Sequence, residues 1–308
     1  MPYCMAIHRF AKESKIKWFH WTHSNPRPMP SGTEYPHSLR YSLPDNSKIV
    51  YLNNNYLINV AESYHTFPKN VRIVYNPRDP RLFYNLHPLV KSILDKYPVL
   101  EADLIQVYPV STPRMIDGKQ IKIVIDVLGE LKKLGKSVAL IVCNAHANDK
   151  REQALISEVG SYCASKGLNS SEVIFTSLEG KEYETGVSQD VVSQLFQLSN
   201  LFIFPSVSEN CSLILLEAML SKCLLVLNDD VGSMREFGKE NALYFKFGNF
   251  YSNVNYENRE RFMNDVAKII ISEFNSNRAL KAAADLRKNY NIDAIFKRQI
   301  LPLLHEYN

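Results

Sequence analysis

The chain has 308 residues, enough for two domains or one large one and too many for a single small module. Hydrophobic residues make up 45% and charged residues 22%, a globular balance that excludes a disordered chain. Its 36 Lys and Arg against 32 Asp and Glu leave a charge of +4, too small an excess over this length to indicate a nucleic-acid partner.

The start, MPYCMAIHRFAKES, lacks the apolar core of a signal peptide, and no run approaches the roughly 18–20 apolar residues of a membrane span. Residues 15–23 and 47–53 read as strands, separated by the proline-rich stretch 25–38, where a helix is disfavoured. A helix is expected within 56–67, then a strand from residue 70 that ends in a proline-containing turn, taken as a domain edge. From Asp103 onward, short β-branched or aromatic runs at 103–110, 137–143, 172–177, 200–206, 223–228 and 242–247 alternate with amphipathic segments. In 119–135, Ile121, Val124, Ile125, Leu128 and Leu131 share one helical face. Continuously apolar strands flanked by such helices predict an α/β, doubly wound parallel sheet. The tail from about Glu257 is helical by period, with Asp293 as a cap for a last segment that Pro302 kinks or ends.

Five widely spaced cysteines, without a C-x-x-C pair or a Cys/His cluster at zinc spacing, predict a reduced, cytoplasmic protein with no structural metal. Residues 1–75 hold nine Lys/Arg against four acids and five of the eight histidines. That excess suits a solvated face, or contact with anionic lipid at the inner membrane surface or with an anionic acceptor.

The stretch 204–220, FPSVSENCSLILLEAML, carries the most chemistry. A strand ends at Pro205, a polar loop follows, and Ser212 can cap a helix whose apolar run contains Glu217. A carboxylate there requires a polar ligand or a cation. Glu209 lies eight residues earlier, in a loop at the C-terminal edge of the sheet, where open α/β sheets bind ligands. The helix start between them offers free N–H groups that suit a phosphate.

The Glu209 and Glu217 pair resembles the E-x7-E motif of retaining glycosyltransferases of the GT-B fold, particularly glycosyltransferase family 4, also called glycosyl transferases group 1. Three more segments match in order. Asn76-Pro77-Arg78-Asp79, followed by Phe83, resembles the N-x-x-D turn at the junction of the family's two domains. Arg114 and Lys119 resemble the Arg and Lys that open the second domain's first helix. Val231, Gly232 and Glu236 resemble its V-G-x-x-x-E segment. The similarity spans about residues 70–308.

The resemblance implies two Rossmann-like doubly wound domains, the N-terminal one truncated. These are residues 1–78 on the acceptor side, 79–290 for the nucleotide-sugar donor, and a C-terminal helix, 291–308, packing back on the first domain. It implies that Arg114 and Lys119 bind the donor diphosphate and stabilise the leaving nucleoside diphosphate. Glu217 would take the ribose hydroxyls and Glu209 the donor sugar, while the N–H groups of Cys211 and Ser212 meet the phosphate. The base pocket is expected near Phe175, Thr176 and Ser177. His23, with His20 as the alternative, resembles the histidine at the end of a first-domain strand. The donor is a co-substrate, a UDP- or GDP-sugar, and the acceptor a glycan, lipid-linked or protein hydroxyl. The resemblance implies no metal, which leaves Asp229 and Asp230 as loop acids.

The sequence departs from the family's usual glycines at Gln120, at Lys222, and in Glu209-Asn210-Cys211-Ser212, where the family has E-G-F-G. Its first domain is also short. A start placed too late, a compact variant, or a partner chain that completes the domain would each account for that. A non-catalytic or partner-dependent nucleotide-sugar-binding module is the alternative function. No G-x-G-x-x-G follows any of the strands, which disfavours a dehydrogenase.

Overall fold

The computed structural model describes residues 2–24, 34–251 and 256–306, so most of the proline-rich stretch lies outside the described residues. The chain divides into two compact units, one from the start to Asp79 with the segment from Asn289 onward, the other Pro80–Lys288.

The smaller unit contains helix α1 (Pro2–Glu13), strands β1 (Trp18–Trp21) and β2 (Ser47–Tyr51), helix α2 (Leu57–Ser63) and strand β3 (Val71–Ile73). Its three strands are all parallel and lie in the order β1-β2-β3, the content of one half of a doubly wound domain. Ile49, Tyr51, Val60, Ala61 and Val71 form the core between sheet and α2. The chain returns to this unit at its end, where Ile295 and Leu303 pack with Val50 and Val74. Trp18 stacks on His20, with centroids 6.4 Å apart, as one face of a strand requires. Trp21, on the opposite face of the strand, is 45% exposed.

The larger unit runs through α3 (Pro80–Phe83), α4 (Pro88–Lys96), β4 (Leu104–Ser111), α5 (Ile121–Lys133), β5 (Val138–Ala145), α6 (Lys150–Ser165) and β6 (Val173–Phe175). It continues with α7 (Gln189–Leu198), β7 (Leu201–Phe204), α8 (Leu213–Leu220), β8 (Leu224–Asn228), α9 (Gly232–Gly238), β9 (Ala242–Phe245), α10 (Arg259–Ser276) and α11 (Arg278–Asn289). The six parallel strands lie in the order β6-β5-β4-β7-β8-β9, the Rossmann order 3-2-1-4-5-6. All five apolar residues assigned to the inner face of α5 are fully buried.

The strand order reverses between β4 and β7, which share one ladder pair, Gln106 with Leu201. Side-chain amides complete this seam. Asn200 accepts from Ile105 N at 2.8 Å and donates to Asp103 O at 2.8 Å, and Gln106 Oε1 accepts from Ile203 N at 2.7 Å. The C-terminal side of such a reversal is where doubly wound sheets take ligands.

The tail is helical, ending in α12 (Ile292–Ile295) and α13 (Leu301–His305), with Pro302 in the first turn of α13. The cap of α12 is Asn291, whose side chain accepts from Ala294 N at 2.9 Å, and not Asp293, which lies inside the first turn.

Two groups set an acid limit on the smaller unit. Burial, and then the nearby His8, lower the pKa of His20; His20 Nε2 and His8 Nδ1 are buried without hydrogen-bond partners. The unfolded chain therefore takes up a proton that folded His20 refuses. Stability is complete above about pH 6.5 and falls as the pH drops below it. Glu306, beside Arg72 and Lys48, is held down to about 2, so its contribution disappears between about pH 4.5 and 2. Thermal melts across pH should show both windows, and His20→Phe should remove the upper one while leaving the lower.

Candidate donor-binding site

The site forms where the loops after β4 and β7 meet at the strand-order reversal. Lys119 lies just before α5, in the loop that follows β4. Glu209 lies in the loop between β7 and α8. Their side chains form an ion pair that is nearly dry, 9% and 13% exposed. Ser206 Oγ donates to the same Glu209 oxygen at 2.8 Å, and the Lys119 ammonium sits 4.9 Å from the Phe204 ring centroid. Ser233 Oγ, on α9, donates to the backbone carbonyl of Glu209 at 2.6 Å. The Lys119 carbonyl accepts from the Tyr108 hydroxyl. Burial, and secondly the Glu209 charge, raise the Tyr108 pKa well above its ordinary value, so this phenol remains a donor.

Of these residues Lys119 reaches an open cleft of about 600 Å³, lined also by Ser111 and Arg114 from the β4 side, Ala145 from β5, Thr185–Ser188 before α7, and Ile214 on α8. Arg114 is exposed at its rim. Gly186, at φ 123°, brings its backbone close to Ala145, where an added Cβ would come within 3.0 Å of the Ala145 Cβ.

Other sequence-predicted residues fall as follows. Ser212 caps α8, its hydroxyl accepting from Leu215 N at 3.4 Å, and Cys211 beside it is exposed. Glu217 is not enclosed by apolar side chains. It is half-buried and takes a hydrogen bond from Gln189, while Leu213 and Leu220 of the same helix are 69% and 82% exposed. Phe175 and Thr176 do not line the cleft. Both are buried, Thr176 Oγ1 donating to Val142 O at 3.4 Å, and the neighbouring Ser177 takes a hydrogen bond from Asn144 at 2.8 Å. The segment that does line it is Thr185–Ser188, whose only sequence signals were Gly186 and the Ser188 cap of α7. His23 is exposed just beyond β1 in the smaller unit. Asp229 pairs with Arg235, and Asp230 accepts from Gly248 N at 2.8 Å. Val231 is the N-cap residue of α9, and Glu236 is exposed.

Two of the positions where the resemblance expects glycine, Gln120 and Lys222, have φ of 51° and 59°, the left-handed region that glycine enters without strain. Among the described residues, no three His, Cys, Asp or Glu side chains gather to hold a metal ion, and no helix is long and apolar enough to cross a membrane.

Cys211 gives a direct probe of this edge. Cys143, Cys163 and Cys223 are buried and Cys4 is half-buried, so iodoacetamide should modify Cys211 first. Its proximity to the α8 start predicts that a saturating nucleoside diphosphate slows that modification at least threefold. Mass spectrometry of the labelled peptide with and without UDP or GDP measures this.

No protein-family model and no curated protein matches the chain. Among solved structures, a glycosyltransferase from Rickettsia africae is 15% identical, with a TM-score of 0.45 over 99% of this chain and 80% of that one. Anabaena HepE, solved with UDP, is 16% identical, with a TM-score of 0.44 over 99% of this chain and 82% of its own. WaaG, a glycosyltransferase involved in lipopolysaccharide biosynthesis, is 14% identical, with a TM-score of 0.40 over 99% and 80%. At these identities and TM-scores, the functional reading rests with the residues of the cleft.

Proposed function

We propose that this chain is a GT-B glycosyltransferase of the family 4 type, moving a sugar from a nucleoside-diphosphate donor to an acceptor hydroxyl with retention of configuration and without a metal. The observation that carries the reading is the pairing of Lys119 with Glu209 across two loops at the strand-order reversal, with Lys119 and Arg114 lining one open cleft. The left-handed backbone at Gln120 and Lys222 supports the register of the resemblance.

In this reading, Arg114 and Lys119 hold the diphosphate. As the glycosidic bond to the β-phosphate breaks, negative charge accumulates on the departing nucleoside diphosphate, and the two cations stabilise that charge. Lys119 exchanges part of its contact with Glu209 for the phosphate, and the freed carboxylate oxygen accepts from a hydroxyl of the donor sugar. The backbone N–H groups at the start of α8, at Cys211 and Ser212, contribute to the phosphate site. Glu217, held by Gln189, takes the ribose hydroxyls. Thr185–Ser188 replaces Phe175 and Thr176 as the segment proposed to face the nucleoside. His23 is proposed as a substrate contact, and the acceptor is a glycan, lipid-linked or protein hydroxyl.

Incubation with UDP- and GDP-sugars over an acceptor panel tests this, with nucleoside diphosphate release followed by an enzyme-coupled assay and the product anomer read by proton NMR. Release with retained configuration is expected, and Glu209→Ala should lower it about 100-fold or more while nucleotide binding persists. An inverted product would refute retention. Binding without any transfer or hydrolysis would favour the module reading.

A further inference from the structure

We propose that Gln120 is a positioning residue, its side-chain amide tying the loop of Glu209 to the loop of Lys119; this rests on the donor-binding reading above. Gln120 directly follows Lys119 and turns the chain into α5 with φ 51° and ψ 45°. A side chain in that region is disfavoured, and glycine would adopt it freely. A long amide placed there therefore needs a use, and the structure shows one. Gln120 Nε2 donates to Pro205 O at 2.7 Å and to Phe247 O at 3.2 Å. Both partners are carbonyls, which only accept, so the amide orientation is fixed by its neighbours.

Pro205 opens the loop that carries Glu209. From it the chain passes to Ser206, whose hydroxyl donates to the Glu209 carboxylate, and to Val207, whose N–H reaches Gly118 O at 3.1 Å. A second amide grips the same loop. Asn228, fully buried at the end of β8, donates to Ser206 O at 3.0 Å and Gly248 O at 2.6 Å. Asn228 is fixed by the sheet, whereas Gln120 is only half-buried and belongs to the Lys119 loop itself. Its amide thus couples the donor-binding cation to the carboxylate that pairs with it, without touching the donor.

The test compares Gln120→Ala with Gln120→Gly in the full chain, measuring UDP and GDP affinity by calorimetry at 20 °C and stability by thermal melting. Both variants lose the amide, but glycine relieves the left-handed backbone, so Gln120→Gly should melt a few degrees above Gln120→Ala. Positioning predicts that both weaken the bound nucleotide by about tenfold, alike despite their different stabilities. Unchanged affinity in Gln120→Gly, or a loss that follows melting temperature from one variant to the other, would overturn the proposal. A wild-type chain that binds neither nucleotide would instead refute the donor-binding reading and this inference with it.

Discussion

Lys119→Met is expected to abolish nucleoside diphosphate binding and to destabilise the larger unit by about 3–5 kcal/mol, the range for removing one partner of a buried ion pair. Glu209 is only 13% exposed, and in the variant its carboxylate would keep Ser206 but lose its cation. Methionine retains the contact with the Phe204 ring, so the loss reports the charge and not the packing. Glu209→Gln alone leaves the ammonium unpaired and should also destabilise. The double variant Lys119→Met/Glu209→Gln removes both charges and should recover most of the stability without recovering binding. Chemical denaturation of the four proteins, with nucleotide titrations of each, measures both quantities. A double variant no more stable than Lys119→Met would show that the pair is not coupled.

Phe204→Ala should cost about 3–5 kcal/mol and lower the melting temperature on the order of 10 °C. The ring is fully buried in β7, stacked on Phe202 with centroids 5.1 Å apart and edge-on to Tyr108 at 6.5 Å. It is also the surface beneath the Lys119 ammonium. Phe204→Leu, which keeps most of the volume, should restore stability to within about 1.5 kcal/mol of the wild type but leave nucleotide affinity reduced. Equal recovery of stability and affinity in the leucine variant would assign Phe204 to the core alone.

The large sheet was legible because its strands are buried on both faces, and runs such as Val138–Val142 and Leu224–Leu227 have no polar residue to confuse the period. The Lys119 and Glu209 positions were legible from motif spacing, since both fall on loops at the C-terminal edge of adjacent strands. The helix Pro2–Glu13 was not legible. Its sequence, PYCMAIHRFAKE, does space Tyr3, Ile7 and Phe10 at helical intervals, yet Tyr3 and Phe10 stay 76% and 54% exposed and only Ala11 is fully buried. Phe175 and Thr176, near which the resemblance puts the base pocket, are buried and do not line the cleft. Glu217 was expected to face a polar group because its helix is apolar in sequence; that helix fully buries only Leu215 and Ala218, and Glu217 takes a hydrogen bond from Gln189. The Asn291 cap was missed because Asp293, two residues on, offers an equally good capping side chain. In each case the local signal is silent about the direction a side chain takes, which packing decides.

Calorimetric titration of the 308-residue chain with UDP, GDP, ADP and CMP, alongside Arg114→Ala/Lys119→Met, tests the central claim most directly. The account predicts one-site binding of UDP or GDP to the wild type, with affinity at least 100-fold weaker or undetectable in the double variant. Nucleotide binding that survives loss of both cations, or a wild-type chain that binds none of the four, would contradict it.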